Sequence, residues 1–261
     1  LSGVTYRNRL GTEFSFDDMV ELSYTDGIVV LHRGAIIYER YLNGMQPHTL
    51  HAWASGSKSV TGVLAALLAH EGLFDLQATV ATYLPELAHS GFGDATLQQV
   101  MDMTTNVRFL EDEIDPVSEN LNYSIALGWR AQPPGYTGPS SVYEVLPTMW
   151  KGGEHGARFV YLTPNTDVLA WLLKRLLNRP LAQIMHERIW SQLGAERDAF
   201  WIVGPSAAET AGSGLLTTLR DMARLGQLLL QRGEFNGHQI LPASLVQEIE
   251  RGGDQAAFAN A

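Results

Sequence analysis

Residues 53–72 constrain the fold of this chain more than any other stretch. Val60, Val63, Leu64, Leu67 and Leu68 recur at helical spacing, and Gly72 supplies the stop after Glu71. Just ahead, residues 27–41 read as two β-rich strands joined by a tight turn at Arg33-Gly34. A strand pair followed by an amphipathic helix needs both a sheet and a helical layer. The helix also opens on an unusual pair, Ser55 and Lys58, in Trp53-Ala-Ser-Gly-Ser-Lys-Ser-Val-Thr-Gly62. Lysine is scarce, occurring only at 58, 151 and 174, so this is the only S-x-x-K in the sequence. A cation in the first turn of a helix opposes the macrodipole. Lysine, unlike arginine, can give up its proton inside a protein.

The 261 residues are 45% hydrophobic, enough to bury a sizeable core as one large domain or two intimate ones. Net charge is −10 with a pI near 5.2, and there is no Lys/Arg run. That balance gives no reason to expect nucleic acid or an anionic membrane as partner. Without cysteine, disulfides, thiolate catalysis and cysteine metal sites are excluded. No apolar stretch reaches the roughly 20 residues of a bilayer span. No signal peptide is visible, and cytoplasmic and exported locations both fit.

Further along, Thr96 is expected to cap a helix running to Met103. Residues 104–156 read as irregular, with five prolines and many glycines, and a loop-rich stretch of that length is usually functional. Helices are expected over 167–177, 181–193 (stopped by Gly194) and 217–232 (stopped by Gly233), with one more helix-like stretch after Pro242. Residues 200–203 are the only later strand-like run. Because a lone hairpin is marginal, more strands are expected beyond Ala261, or the sheet is small.

A serine hydroxyl needs a base before it becomes a useful nucleophile. Positions three apart share a helical face, so Lys58 can reach Ser55. Burial and the positive helix end both favour an uncharged lysine. The helix end also points free N–H groups at a developing oxyanion. The same spacing equally fits a helix-cap serine beside a solvent-exposed lysine. Other catalytic signatures are missing: there is no G-x-S-x-G, H-E-x-x-H, P-loop or G-x-G-x-x-G. The eight histidines show no metal-ligand spacing.

The Trp53–Gly62 segment resembles the nucleophile motif of the serine β-lactamase and penicillin-binding-protein superfamily, in its class C and esterase-like branch. Three further segments, residues 101–116, 159–169 and 211–226, make the chain similar to the 6-aminohexanoate-dimer hydrolase (nylon-oligomer hydrolase) group. Together the similarity runs from about Val29 to Pro242. The resemblance implies an α/β (α+β) β-lactamase-like, DD-peptidase-like fold, an antiparallel sheet flanked by helices with an inserted helical part. The α/β part would comprise about 1–74 and 200–261, and the inserted part about 75–199. It also implies Ser55 as acyl-accepting nucleophile, Lys58 as its proton partner, and Tyr161 of Phe159-Val-Tyr as general base/acid. A free tyrosine titrates near 10, so it needs cationic neighbours to act near neutral pH.

Three departures bear on substrate binding. Thr163 stands where the class C pattern has asparagine, with Asn165 further on. Glu113 stands where specialised amide-cleaving members carry a loop tyrosine. No Lys-Thr-Gly or His-x-Gly follows residue 242, so the chain is expected to stop short of a third motif. Glu113, Thr163 and Asn165 are the candidate substrate-binding residues. The expected reaction is acyl transfer to Ser55 and hydrolysis of a small ester or amide, without metal or cofactor. A β-lactamase, a DD-peptidase and a non-catalytic sensor remain as alternatives.

Overall fold

The computed structural model describes residues 3–109 and 120–261. The chain opens with a short antiparallel pair, β1 (Thr5–Arg7) and β2 (Glu13–Ser15), followed by helix α1 (Phe16–Leu22). Ser15 and Asp18 form a reciprocal capping box at the start of α1, each side chain accepting from the other's backbone N–H.

The expected hairpin is present as β3 (Gly27–His32) and β4 (Ala35–Tyr41), paired antiparallel from Gly27↔Tyr41 to His32↔Ala35. Its two-residue turn holds Arg33 at φ 51° and Gly34 at φ 80°. Two consecutive left-handed residues match the right-handed twist of the flanking strands. After β5 (His51–Ala52) comes the long helix α2 (Ser57–His70), with Val60, Leu64, Leu67 and Leu68 buried and Val63 partly buried. Gly72 follows at φ 78°.

Four short elements come next: α3 (Val80–Tyr83), α4 (Leu97–Met101), β6 (Val107–Arg108) and α5 (Asn120–Ala126). Thr96 caps α4 as expected, in a box with Gln99. The described residues within 104–156 are more structured than the prolines suggest. Besides β6 and α5 they carry α6 (Val142–Val145) and β7 (Trp150–Lys151), which pairs antiparallel with β6.

Helix α7 (Thr163–Leu177) begins four residues before the expected position 167. Pro164 sits in its first turn, where a missing N–H costs nothing. Helix α8 (Leu181–Arg188) is shorter than expected, because Ile189 leaves helical geometry at φ −133° and a 3-10 turn at Trp190–Gln192 completes the segment. Beyond β8 (Phe200–Trp201) lies β9 (Leu215–Thr217), the centre of a three-stranded sheet ordered β5-β9-β8. Thr217 therefore belongs to a strand rather than to the expected 217–232 helix. Helix α9 (Leu219–Leu230) starts after the Thr218 cap, whose hydroxyl accepts from Asp221 N–H. The remaining elements are β10 (Glu234–Phe235), β11 (His238–Gln239), α10 (Ala243–Arg251) and α11 (Gln255–Ala259).

The class is mixed α/β, with every strand pair among the described residues antiparallel. Leu64 and Leu68 of α2, Leu97 of α4 and Leu172 and Leu173 of α7 are fully buried in one continuous core. Helices α2 and α7 pack against each other there. The heads of both helices carry the candidate site. No helix among the described residues is long and apolar enough to cross a membrane.

Candidate active site

Ser55 lies in a one-turn 3-10 helix, Ala54–Gly56, immediately ahead of α2. The preceding Ala54 sits at φ 45°. A residue with a Cβ pays about 1–2 kcal/mol for that conformation, so neighbouring bonds must hold it. On one side, Trp53 N–H donates to Leu215 O at 2.9 Å and its indole Nε1–H to Thr217 Oγ1 at 2.7 Å. On the other, the fully buried Ser57 donates its hydroxyl to Ala54 O at 2.7 Å and accepts from Leu215 N–H at 3.1 Å. Strand β9 thus grips the turn from both ends and presents Ser55 between them. Ser55 is not the helix cap, and the serine with a structural task is Ser57.

Lys58 Nζ donates to Ser55 Oγ at 3.1 Å and to Gly212 O at 2.9 Å. Its ammonium also lies over the Tyr161 ring, 4.9 Å from the centroid, a geometry that attracts cations. The lysine is therefore held from three directions and does not extend into solvent. Gly212 completes the packing. A Cβ built there would stand 2.6 Å from Thr163 Cγ2 and 3.6 Å from Lys58 Nζ.

Tyr161 is 44% exposed, so it is no core aromatic. Its neighbour Phe159 packs instead on Phe258. Thr163, the first residue of α7, is buried and lines the same cavity as Ser55 and Lys58. Asn165 is not brought to that cavity. It is fully buried, and its Oδ1 accepts from Thr105 Oγ1 at 2.7 Å. Two residues into α7 the side chain has rotated away from Thr163, and the structure places it in the core beside Thr105. Glu113 lies outside the described residues.

The cavity at Ser55 measures about 110 Å³, and Phe109, Asn120, Tyr123, Trp129 and Ser213 complete its walls. Tyr123 packs edge-on against both Phe109 and Trp129, giving an aromatic side. The buried Ser213 hydroxyl has no hydrogen-bond partner among the described residues. A wider groove of about 710 Å³ between the β3–β4 hairpin and α9 carries Glu196, Arg220 and Arg224. It offers no nucleophile paired with a base.

Asp167 escaped the sequence reading. Its carboxyl is fully buried one helical turn beyond Thr163 and accepts a hydrogen bond from the Tyr123 hydroxyl. Burial pushes it up to about 7, against the opposing pull of Tyr123 and of the Lys58 charge. Asp167 directly precedes the apolar run Val168–Leu173, at the end of the polar stretch Thr163–Asp167, so its burial carries no clear sequence signal.

Known proteins of similar sequence and fold were found. The Beta-lactamase family model matches residues 23–257. A 6-aminohexanoate-dimer hydrolase from Paenarthrobacter ureafaciens is 33% identical over 242 residues, covering 93% of this chain and 61% of the relative. Among solved structures, a candidate 6-aminohexanoate-dimer hydrolase from Bacillus anthracis superposes with a TM-score of 0.88 at 36% identity. That match covers 96% of this chain and 65% of the other. A class C beta lactamase from Rhodobacter sphaeroides shares the fold, with a TM-score of 0.61 at 22% identity over 89% of this chain and 68% of the other. The chain therefore spans somewhat under two thirds of the length of the first two relatives.

Proposed function

The chain belongs to the beta-lactamase family, and on that premise we propose that it is a serine hydrolase cleaving small esters or amides through an acyl-enzyme on Ser55. The carrying observation is the 3.1 Å contact between Lys58 Nζ and Ser55 Oγ beside a small cavity. With the amine neutral, the same contact runs from hydroxyl to nitrogen, and Lys58 takes the proton as Ser55 Oγ attacks the substrate carbonyl. The tetrahedral oxyanion forms at the head of α2, where backbone N–H groups and the helix dipole favour negative charge. Tyr161, sharing Lys58 through its ring, then protonates the leaving oxygen or nitrogen. Water hydrolyses the acyl-enzyme by the reverse proton route. Gly212 O supports the lysine throughout by accepting a second of its hydrogens.

Thr163 lines the cavity as a substrate contact in place of an asparagine. The inserted helical part, residues 75–199, supplies Tyr161 and the aromatic wall, and the remaining part supplies Ser55 and Lys58. At about 110 Å³ the cavity is smaller than the roughly 150 Å³ that holds a benzene ring, which favours small esters and amides. The 33% identity to a relative named as a hydrolase favours acyl transfer over mere binding. Replacing Ser55→Ala should lower turnover of a short-chain p-nitrophenyl ester by at least about a thousandfold. Unchanged turnover refutes the assignment, and rapid opening of a penicillin by the wild-type protein redirects it to a β-lactamase.

A further inference from the structure

Tyr161 stands on neither a helix nor a strand. It lies on an irregular strap, residues 157–162, that leads into the first turn of α7. What keeps its ring over Lys58 must therefore come from the bonds the strap makes on either side of it. On the inner side these come from Met103, just past the end of α4. Its carbonyl accepts from Val160 N–H at 2.7 Å and its Sδ from Leu162 N–H at 3.5 Å.

On the outer side the partner is α11. Ala257 O accepts from Phe159 N–H at 2.9 Å, and Asn260 Nδ2–H donates to Ala157 O at 3.4 Å. The Phe258 ring packs on Phe159 with centroids 5.3 Å apart and planes inclined by 66°, an edge-on arrangement that attracts beyond simple burial. Ala257 is buried, and its own N–H donates at 2.9 Å to the Asp254 side chain that caps α11. One residue thus ties the helix cap to the strap.

The two sides differ in firmness. The Met103 sulfur also accepts from the fully buried Asn165, so the inner side is part of the core. Helix α11 is five residues long, too short to persist without packing, and Phe258 is 61% exposed. The loop ahead of it closes tightly on α4, since a Cβ at Gly253 would run into the Asp102 carboxyl. The outer bonds of the strap therefore exist only while α11 is docked.

We propose that Phe258 is a positioning residue acting through Tyr161: by docking α11 on Phe159 it holds the strap so that the Tyr161 ring stays over the Lys58 ammonium. Its effect on turnover rests on Tyr161 as the proton donor of the proposed reaction, while its effect on the ring does not. With α11 released, Phe159 N–H loses its acceptor two residues before Tyr161, and the strap is fixed from the Met103 side alone.

The test reads the Lys58 ε-CH2 resonance in the full chain labelled with ¹³C at lysine Cε. The chain has three lysines, and Lys58→Arg assigns the signal. A ring stacked on the ammonium shields that group, and Tyr161→Leu gives its position with the ring removed. In Phe258→Ala the resonance should move towards the Tyr161→Leu position, and Phe258→Tyr, which keeps the ring on Phe159, should restore it. Ester hydrolysis by Phe258→Ala should fall about tenfold to a hundredfold in kcat, with KM within twofold of wild type. Gly253→Ala perturbs α11 from its other end and should move the resonance the same way, so the test survives if either variant fails to fold. A Lys58 resonance that stays at its wild-type position in the folded variants overturns the proposal, whatever the activity. A chain that cleaves no ester but shows the displacement refutes the hydrolase reading and upholds this one.

Discussion

Gly212 is the point where the backbone comes closest to the proposed machinery, and Gly212→Ala probes it with one methyl group. The residue's backbone does not need the left-handed region, so alanine suffers only from lack of space. The added Cβ would lie 2.6 Å from Thr163 Cγ2 and 3.6 Å from Lys58 Nζ. Carbon atoms at rest sit about 3.5–4.0 Å apart, so roughly 1 Å must be found. Thr163 is buried at the head of α7 and cannot swing into solvent. The turn carrying Gly212 O must move instead, and that carbonyl holds Lys58. Overpacking of this kind costs about 1–3 kcal/mol. A displacement of about 1 Å at the reacting groups is worth about a hundredfold in rate. Thermal unfolding should show a Tm lower by several degrees, and hydrolysis of a short ester should fall about a hundredfold in kcat/KM. Gly226→Ala is the control: a Cβ there meets nothing within 4 Å in the interior of α9, so stability should rise by about 0.5–1 kcal/mol with activity unchanged. If Gly212→Ala retains activity within twofold of wild type, the packing argument is wrong.

Two further substitutions test separate parts of the account. Tyr161→Phe keeps the ring beneath Lys58 and deletes only the hydroxyl, so kcat should fall by about a hundredfold to ten-thousandfold while Tm stays constant; a loss under fivefold removes Tyr161 from proton transfer. His155, its side chain only 4% exposed, accepts the Asn106 N–H on Nδ1 at 2.9 Å and bonds Asp94 through Nε2 at 3.2 Å. Burial, reinforced by the Lys151 charge and opposed by Asp94, holds its titration below the usual 6.5. The unfolded chain therefore takes up the proton first as pH falls, and stability should drop below about pH 6.5. Denaturant titrations between pH 5 and 8 should show that slope weakened in His155→Asn; an unaltered slope assigns it to other groups.

The elements that sequence periodicity identifies are those whose pattern is local. Helix α2 repeats its apolar residues at helical spacing, and the β3–β4 turn announces itself through Arg33-Gly34. Strand β9 was hidden because three residues of the run Leu215-Leu-Thr217 look like the approach to a helix. Only the pairing with β5 and β8, about 160 and 15 residues away, makes them a strand. Helix α7 starts early for the opposite reason, a local signal left unused at Pro164. In the site, spacing alone pointed to Ser55 and Lys58, since residues three apart in a helical turn must be neighbours. The roles of Ser57, Gly212 and Asp167 depend on contacts between distant segments. Asn165 illustrates the limit from the other side: it stands two positions beyond the motif place held by Thr163, and helix rotation turns it onto Thr105 and into the core.

The central claim is that Ser55 is an activated nucleophile, and covalent capture tests it most directly. The protein is incubated with a fluorophosphonate, its intact mass is measured, and the tryptic peptide ending at Lys58 is sequenced. One adduct per chain is expected, located on Ser55, absent from Ser55→Ala and much slowed in Lys58→Met. An unlabelled protein, or label placed on Ser57 instead, would contradict the account.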